Sequence, residues 1–83
     1  MKKIAEFCDF EVYINSKFKG TPIIRVHYNE DDIDGEINLL TEEIQGDFDQ
    51  YIFPILEAWF QEFKEELISM WNNKETYILP EWG

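Results

Sequence analysis

Cysteine and histidine, which proteins often use for cross-links, metal sites and nucleophilic catalysis, are almost absent from this sequence. Its 83 residues include one cysteine, Cys8, and one histidine, His27. A single cysteine excludes an internal disulfide, and no motif typical of an activated thiolate surrounds it. We therefore expect no enzymatic activity and no cofactor. The alternative is a small enzyme that uses Cys8 with His27, which requires the fold to bring the two side chains together.

Long hydrophobic runs and glycine clusters are also missing. No N-terminal stretch has the roughly seven consecutive apolar residues of a signal peptide, and nothing approaches the roughly 20 of a membrane span. The four glycines, Gly20, Gly35, Gly46 and Gly83, lie far apart, which excludes a glycine-rich loop that cradles phosphate. The sequence predicts a cytoplasmic protein with no membrane segment.

Basic residues are scarce. There are 7 lysines and arginines against 18 aspartates and glutamates, a net charge of -11, and no lysine or arginine lies between Arg25 and Lys64. A charge of this sign repels phosphate backbones and anionic lipid at long range. We therefore expect no direct binding to nucleic acid and no binding to a membrane surface.

The apolar residues that are present predict one folded domain over residues 1–83. They make up 45% of the chain, and 17% of the chain is aromatic, more than a disordered acidic tail carries. Alternating apolar residues predict three strands, over about residues 9–15, 22–28 and 36–40. The segment 76–79 is rich in β-prone residues and is a candidate short edge strand.

One long helix is predicted over about residues 50–72. Its apolar residues recur at spacings of three and four, the pattern of a helix with one buried face. These residues are Ile52, Leu56, Trp59, Phe60, Phe63, Leu67, Met70 and Trp71. The sequence thus predicts an α+β fold, a small antiparallel sheet of about three strands with one long amphipathic helix packed across it.

The stretch "NEDDIDGEINLL" has acidic residues that alternate up to a glycine, as in a calcium-binding EF-hand loop. Glu30, Asp32 and Asp34 occupy the first, third and fifth positions of that template, and Gly35 occupies the sixth. The twelfth position, which needs a bidentate glutamate, falls on Thr41, and predicted strands flank the loop where helices are required. We predict a polar turn with Gly35 providing a permissive backbone and no metal site, and calcium binding is the alternative.

The acidic residues of this central region are the candidate partner-binding residues. They are Glu30, Asp31, Asp32, Asp34, Glu36, Glu42, Glu43, Asp47 and Asp49. Clustered like charges destabilise a fold by self-repulsion, which a basic partner surface can offset. A solvated face that improves solubility is the other interpretation. Tyr28, Tyr51 and Trp82 are candidate aromatic anchors for a partner.

Residues 59–71, "WFQEFKEELISMW", carry a resemblance. They are similar to the C-terminal helix of a family of small prokaryotic proteins of unknown function, which reads W-hydrophobic-x-x-x-basic-E-E-L-hydrophobic-x-x-W. Upstream, "EIQGDF" resembles the short acidic segment of the family, and "TPIIRVHY" resembles its second strand, P-P-H-x-H-V-x-Y. The resemblance covers roughly residues 10–71 and implies a sheet of about three strands with a helix packed across it.

The sequence departs from this family in its second strand. The two histidines of the family pattern align with Ile23 or Ile24 and with Arg25, and only the later His27 remains. A metal or catalytic role based on that pair is therefore not carried over. The family is often found in two-gene cassettes that resemble toxin–antitoxin pairs, which implies a regulatory or interaction role.

The functional prediction is a small acidic, non-enzymatic inhibitor or adaptor that binds a basic surface of a nucleic-acid-handling protein. Such inhibitors include antitoxins and phage-encoded anti-CRISPR or other anti-defence proteins, some of which mimic nucleic acid. Alternatives are a small structural or metal-binding domain, a homodimer, or the enzyme that uses Cys8 and His27.

Overall fold

The computed structural model describes residues 1–82 and shows five strands followed by one helix. The elements are β1 (Lys2–Phe7), β2 (Phe10–Ile14), β3 (Ile23–Tyr28), β4 (Ile33–Asn38), β5 (Ile44–Gly46) and α1 (Phe53–Asn73). The strands form one antiparallel sheet in the order β1-β2-β3-β4-β5, so each strand pairs with the next one in sequence. The predicted α+β class is confirmed, but the sheet has five strands rather than about three.

The two additional strands lack the alternation that identifies a strand in a sequence. In β1 the register shifts between Lys3 and Ala5, as in a β-bulge, so the consecutive residues Ile4 and Ala5 are both buried. β5 has only three residues. The predicted third strand lies too late in the chain, because β4 covers Ile33–Asn38 rather than 36–40.

Tight turns join β1 to β2 and β3 to β4. The turn between β1 and β2 has two residues, Cys8 and Asp9, both with positive φ (45° and 68°), as a type I′ hairpin requires. The β3–β4 turn comprises residues 29–32, and the Asp32 N–H donates to the Asn29 carbonyl oxygen at 3.3 Å. Asp32 has a φ of 52°, a conformation that aspartate tolerates better than most residues.

One face of the sheet packs against α1, and the other carries polar side chains. The Phe7 ring stacks on the Trp59 indole at 4.7 Å, which joins β1 to the middle of the helix. The main residues of this core are Ile4, Phe7, Phe10, Val12, Ile14, Ile24, Val26, Ile37, Leu56, Trp59, Phe60, Phe63, Leu67 and Met70. The strand register places the following residues on the open face: Lys3, Glu11, Tyr13, Arg25, His27, Asp34 and Glu36.

The helix begins at Phe53, just before Pro54, because a separate hydrogen-bonded turn precedes it. The Asp49 Oδ1 accepts hydrogen bonds from the backbone N–H groups of Tyr51 (2.8 Å) and Ile52 (3.0 Å). The helix ends at Asn73, and Lys74 follows in the left-handed conformation with its N–H bonded to the Met70 carbonyl. The helix therefore spans Phe53–Asn73 rather than about 50–72.

The C-terminal segment runs beside β1 without forming the predicted strand. Within residues 76–79 no strand is present, but the Leu79 N–H donates to the Ile4 carbonyl oxygen at 2.7 Å. The half-buried Trp82 packs edge-on to the Phe7 ring at 5.5 Å. The single hydrogen bond and the ring contact cover part of the β1 edge. In the described part of the chain, α1 is too polar to cross a membrane.

Candidate functional site

Nine acidic side chains, the candidate partner-binding residues, follow β4 from one end to the other. We call this set the acidic margin: Glu30, Asp31 and Asp32 in the β3–β4 turn, Asp34 and Glu36 on β4, Glu42 and Glu43 in the β4–β5 turn, and Asp47 and Asp49 after β5. A strand rises about 3.4 Å per residue, so the six residues of β4 separate the two turns by about 20 Å. The acidic margin therefore extends along this whole side of the sheet.

The register of β4 sets which side chains project from its open face. Alternate residues of a strand share a face, so Asp34 and Glu36 project together, where Asp34 pairs with His27 and Glu36 pairs with Arg25. Asp47 follows Gly46, the residue of β5 that pairs with β4 near Asp34. Asp47 therefore lies towards the β3–β4 turn, at the opposite end from Glu42 and Glu43.

The structure separates the acidic margin into carboxylates with and without partners. Glu42 accepts a hydrogen bond from the Lys64 Nζ at 3.2 Å. His27 contacts Asp32 and Asp34, Glu30 accepts a hydrogen bond from a tyrosine, and Asp49 binds backbone N–H groups. Within residues 1–82 the remaining four form no ion pair and no side-chain hydrogen bond: Asp31, Glu36, Glu43 and Asp47. All four are exposed except the half-buried Glu36.

His27 lies between two carboxylates of the acidic margin. Its Nδ1 is 2.8 Å from the Asp34 Oδ1, and its Nε2 is 3.3 Å from the Asp32 Oδ1. A neutral imidazole has one N–H, so only the imidazolium donates to both carboxylates. The hydrogen bond with Asp34 raises the pKa of His27 above its ordinary value, and the charges of Asp34, Asp32 and Glu11 act in the same direction against partial desolvation. In its protonated form, His27 neutralises part of this end of the margin.

Two of the three predicted aromatic anchors lie wholly or partly inside the fold. Tyr28 is buried, and its O–H donates to Glu30 Oε2 at 2.8 Å. This hydrogen bond, together with desolvation, raises the pKa of Tyr28 to about 12. Trp82 is half-buried against Phe7. Tyr51, by contrast, is 77% exposed and is the one predicted anchor that protrudes.

Gly35 does not lie in the turn, which corrects the sequence-based interpretation. It lies inside β4, paired with Val26 on one side and Gly46 on the other. A Cβ at Gly35 would overlap the Phe48 ring and the Gln45 carbonyl oxygen, and a Cβ at Gly46 would lie 2.5 Å from the Phe48 Cε2. The two glycines therefore make room for Phe48. The buried ring fixes the chain between Asp47 and Asp49.

The alternatives involving metal binding and catalysis gain no geometric support. Asp34 projects from β4, while Glu30 and Asp32 belong to the preceding turn, so the segment is not the single wrapped loop of an EF-hand. Across residues 1–82, no three His, Cys, Asp or Glu side chains are grouped to hold a metal ion. Cys8 and His27 line different grooves.

The structure also reveals an apolar groove that sequence reasoning missed. It lies between the β4–β5 turn and the last turns of the helix. We call it the Leu40 groove, and its lining is Pro22, Leu39, Leu40, Ile68, Trp71 and Asn72. The available signal was Leu40, an apolar residue outside the alternation of Ile37 and Leu39 along the strand.

No protein-family model, curated protein or solved structure matches this chain. The resemblance of residues 59–71 to the small prokaryotic family remains a prediction.

Proposed function

We propose that this protein is a small acidic, non-enzymatic inhibitor or adaptor whose acidic margin binds a basic surface of a nucleic-acid-handling protein. Antitoxins and anti-CRISPR or related anti-defence proteins are the functional type. The observation that supports this proposal is the group of carboxylates without partners: Asp31, Glu36, Glu43 and Asp47. They lie along about 20 Å of one side of the sheet.

Local cations do not balance this surface. Lys64 is bonded to Glu42, and His27 contacts two carboxylates. Arg25 lies opposite Glu36 in the strand pairing but forms no ion pair within residues 1–82. Lysine and arginine side chains of a partner would form charge-assisted hydrogen bonds with the unpaired carboxylates, and the net charge of -11 would accelerate the encounter with a basic surface. A partner whose basic residues normally hold phosphates would then be blocked by occlusion, with the acidic margin mimicking the nucleic-acid backbone.

A charge-reversal pair tests this proposal. Asp31→Lys with Glu43→Lys alters one unpaired carboxylate at each end of the margin, and Glu57→Lys with Glu62→Lys makes the same change in net charge on exposed positions of α1. Proteins captured from a lysate of the source cell would be identified, purified and titrated by calorimetry at about 50 mM and about 300 mM salt. Screening acts within about 10 Å at 0.1 M salt, so binding should weaken at the higher concentration.

We expect the margin variant to lose binding and the helix variant to retain most of it, with both folded by circular dichroism. The purified partner should also release its nucleic acid when the wild-type protein is added. Equal loss of binding in both variants would show that net charge alone acts, and salt-independent binding would refute a contact made by the acidic margin.

A further inference from the structure

The Leu40 groove opens beside the end of the acidic margin that contains Glu42 and Glu43. Leu40 is 75% exposed, and Ile68 on the helix is 37% exposed. Single exposed apolar residues are common, but here the exposed leucine borders a groove with apolar walls on two different elements. Such a groove is suited to receive a bulky apolar side chain.

Hydrogen bonds hold the turn that presents Leu40. The Asn38 Oδ1 accepts from the N–H groups of Leu40 (2.8 Å) and Thr41 (3.2 Å), and the Glu42 N–H donates to the Asn38 carbonyl at 2.7 Å. The Leu39 N–H donates to the Pro22 carbonyl at 2.9 Å. Leu40 is thus exposed on a bonded turn, and a partner would lose little freedom in the turn on binding.

We propose that the Leu40 groove is the apolar centre of the partner-binding surface. It accepts a large aliphatic or aromatic side chain from a basic segment of a partner protein, and lysines or arginines beside that side chain contact Glu42 and Glu43. The proposal rests on the proposed function, since it names the part of the partner that the acidic margin engages. An apolar centre with a charged rim is the usual anatomy of a protein interface.

The charges around the groove favour a basic occupant. Glu42 and Glu43 follow Leu40 in the same turn, and Glu65 lies one helical turn before Ile68. Lys64 is nearby and its ammonium group is bonded to Glu42, so these two charges offset each other and Glu43 and Glu65 remain. The rim on the Leu40 side is therefore acidic.

Two lysines of the β2–β3 connection lie beside a ring that packs against the groove lining. Lys17 and Lys19 flank Phe18, whose ring packs edge-on to the Trp71 indole at 5.6 Å. They lie in the β2–β3 connection, beyond the indole. These lysines repel other cations, so the basic residues of a bound segment would lie on the Leu40 side, beside Glu43.

A second copy of this chain fits the groove less well. A two-fold contact centred on Leu40 would bring Glu42 and Glu43 close to their own copies. Each chain has a net charge of -11, so the long-range repulsion opposes the same contact. A basic segment supplies both the apolar side chain and the opposite charge.

Labelled synthetic peptides test the inference. The probe is a short lysine-rich peptide with a central tryptophan, and its comparison has alanine in the centre. Binding is measured by fluorescence anisotropy at about 50 mM salt, and methyl NMR shifts locate the site. We expect the tryptophan peptide to bind roughly tenfold more tightly and to shift the methyl signals of Leu40 and Ile68. Leu40→Ser should abolish this difference, whereas Ile78→Ser, at a residue 68% exposed beside β1, should preserve it.

The outcomes separate the two proposals. Equal, salt-sensitive binding of both peptides would overturn the groove inference and leave the acidic margin as the binding surface. Absence of binding by either peptide would count against the proposed function itself, and the groove inference would fall with it. A glutamate-rich peptide with a central tryptophan that bound equally well would overturn the basic occupant. So would concentration-dependent dimerisation that Leu40→Ser removes.

Discussion

Replacement of Gly35 by alanine should destabilise the protein through a steric clash alone. Gly35 lies inside β4 and is not among the glycines with positive φ, so alanine adopts its backbone conformation without strain. The added Cβ would lie 2.6 Å from the Phe48 Cζ and would also overlap the Gln45 carbonyl oxygen. Carbon atoms prefer a separation of about 3.5–4.0 Å, so the Phe48 ring must move by about 1 Å.

The size of the effect follows from the two ways in which the structure can respond. Overpacking a core with the ring in place costs about 1–3 kcal/mol, and expelling the Phe48 ring from its buried position costs about 1.5–3 kcal/mol. Because the backbone oxygen of Gln45 cannot escape by changing rotamer, we expect a loss of about 2–3 kcal/mol. A chain of this length is stable by about 4–12 kcal/mol, and the melting temperature should fall by roughly 8–20 °C.

Urea denaturation followed by tryptophan fluorescence measures this loss. Gly20→Ala is the control for an added methyl group without a steric clash, because a Cβ at Gly20 meets no atom within 4 Å. Its φ of +78° is left-handed, so this variant should lose about 1 kcal/mol through backbone strain. In a Phe48→Ala background, the part of the loss caused by the ring should disappear, and the part caused by the Gln45 carbonyl oxygen should remain. A loss below about 0.5 kcal/mol for Gly35→Ala in the wild type would refute the reasoning.

Three further predictions concern residues of the acidic margin and their partners. Asp49→Ala should cost about 1 kcal/mol of unfolding free energy by chemical denaturation, because the turn before the helix loses the acceptor for two backbone N–H groups. Asp49→Asn keeps the acceptor, so equal losses in the two variants would contradict this role. NMR titration should place the pKa of His27 above 6.5, and Asp34→Asn should lower it. Because the pKa of His27 is raised in the folded state, the stabilisation from its contact with Asp34 is complete below pH 6.5 and is lost as the pH rises through the folded-state pKa. An unchanged pKa in Asp34→Asn would count against this contact. In an ultraviolet titration, the pKa of Tyr28 should be about 12, and Glu30→Gln should lower it. An unchanged pKa in the variant would mean that the hydrogen bond is absent in solution.

The sequence identified those strands and helices in which the spacing of apolar residues runs without interruption. Val12 and Ile14 alternate on β2, and the helix keeps its spacing of three and four through Met70, so both elements were predicted. The bulge in β1 interrupts the alternation, and three-residue β5 is too short to show one. Gly35 was assigned to the turn because its packing role depends on Phe48, which reaches it only in the folded chain.

The nine carboxylates of the candidate site could be named from the sequence, but not their individual roles. Whether a carboxylate is paired depends on contacts between distant segments, such as the Lys64 Nζ with Glu42 or the imidazole of His27 with Asp34. The Leu40 groove likewise requires the end of the helix to meet the β4–β5 turn. Composition therefore indicated an acidic surface, whereas the fold determines which of its charges remain unpaired.

The order of strands in the sheet has a consequence for how the chain folds during synthesis. Each strand pairs with the next one in sequence, a topology of low contact order that forms rapidly, hairpin by hairpin. The partner of the buried face is α1, which follows all five strands and ends at Asn73. Until the ribosome has released the helix, Phe10, Val26 and Ile37 remain uncovered on an otherwise complete sheet. The nascent chain is therefore most vulnerable to aggregation, and most dependent on chaperones, in the interval between β5 and the end of α1.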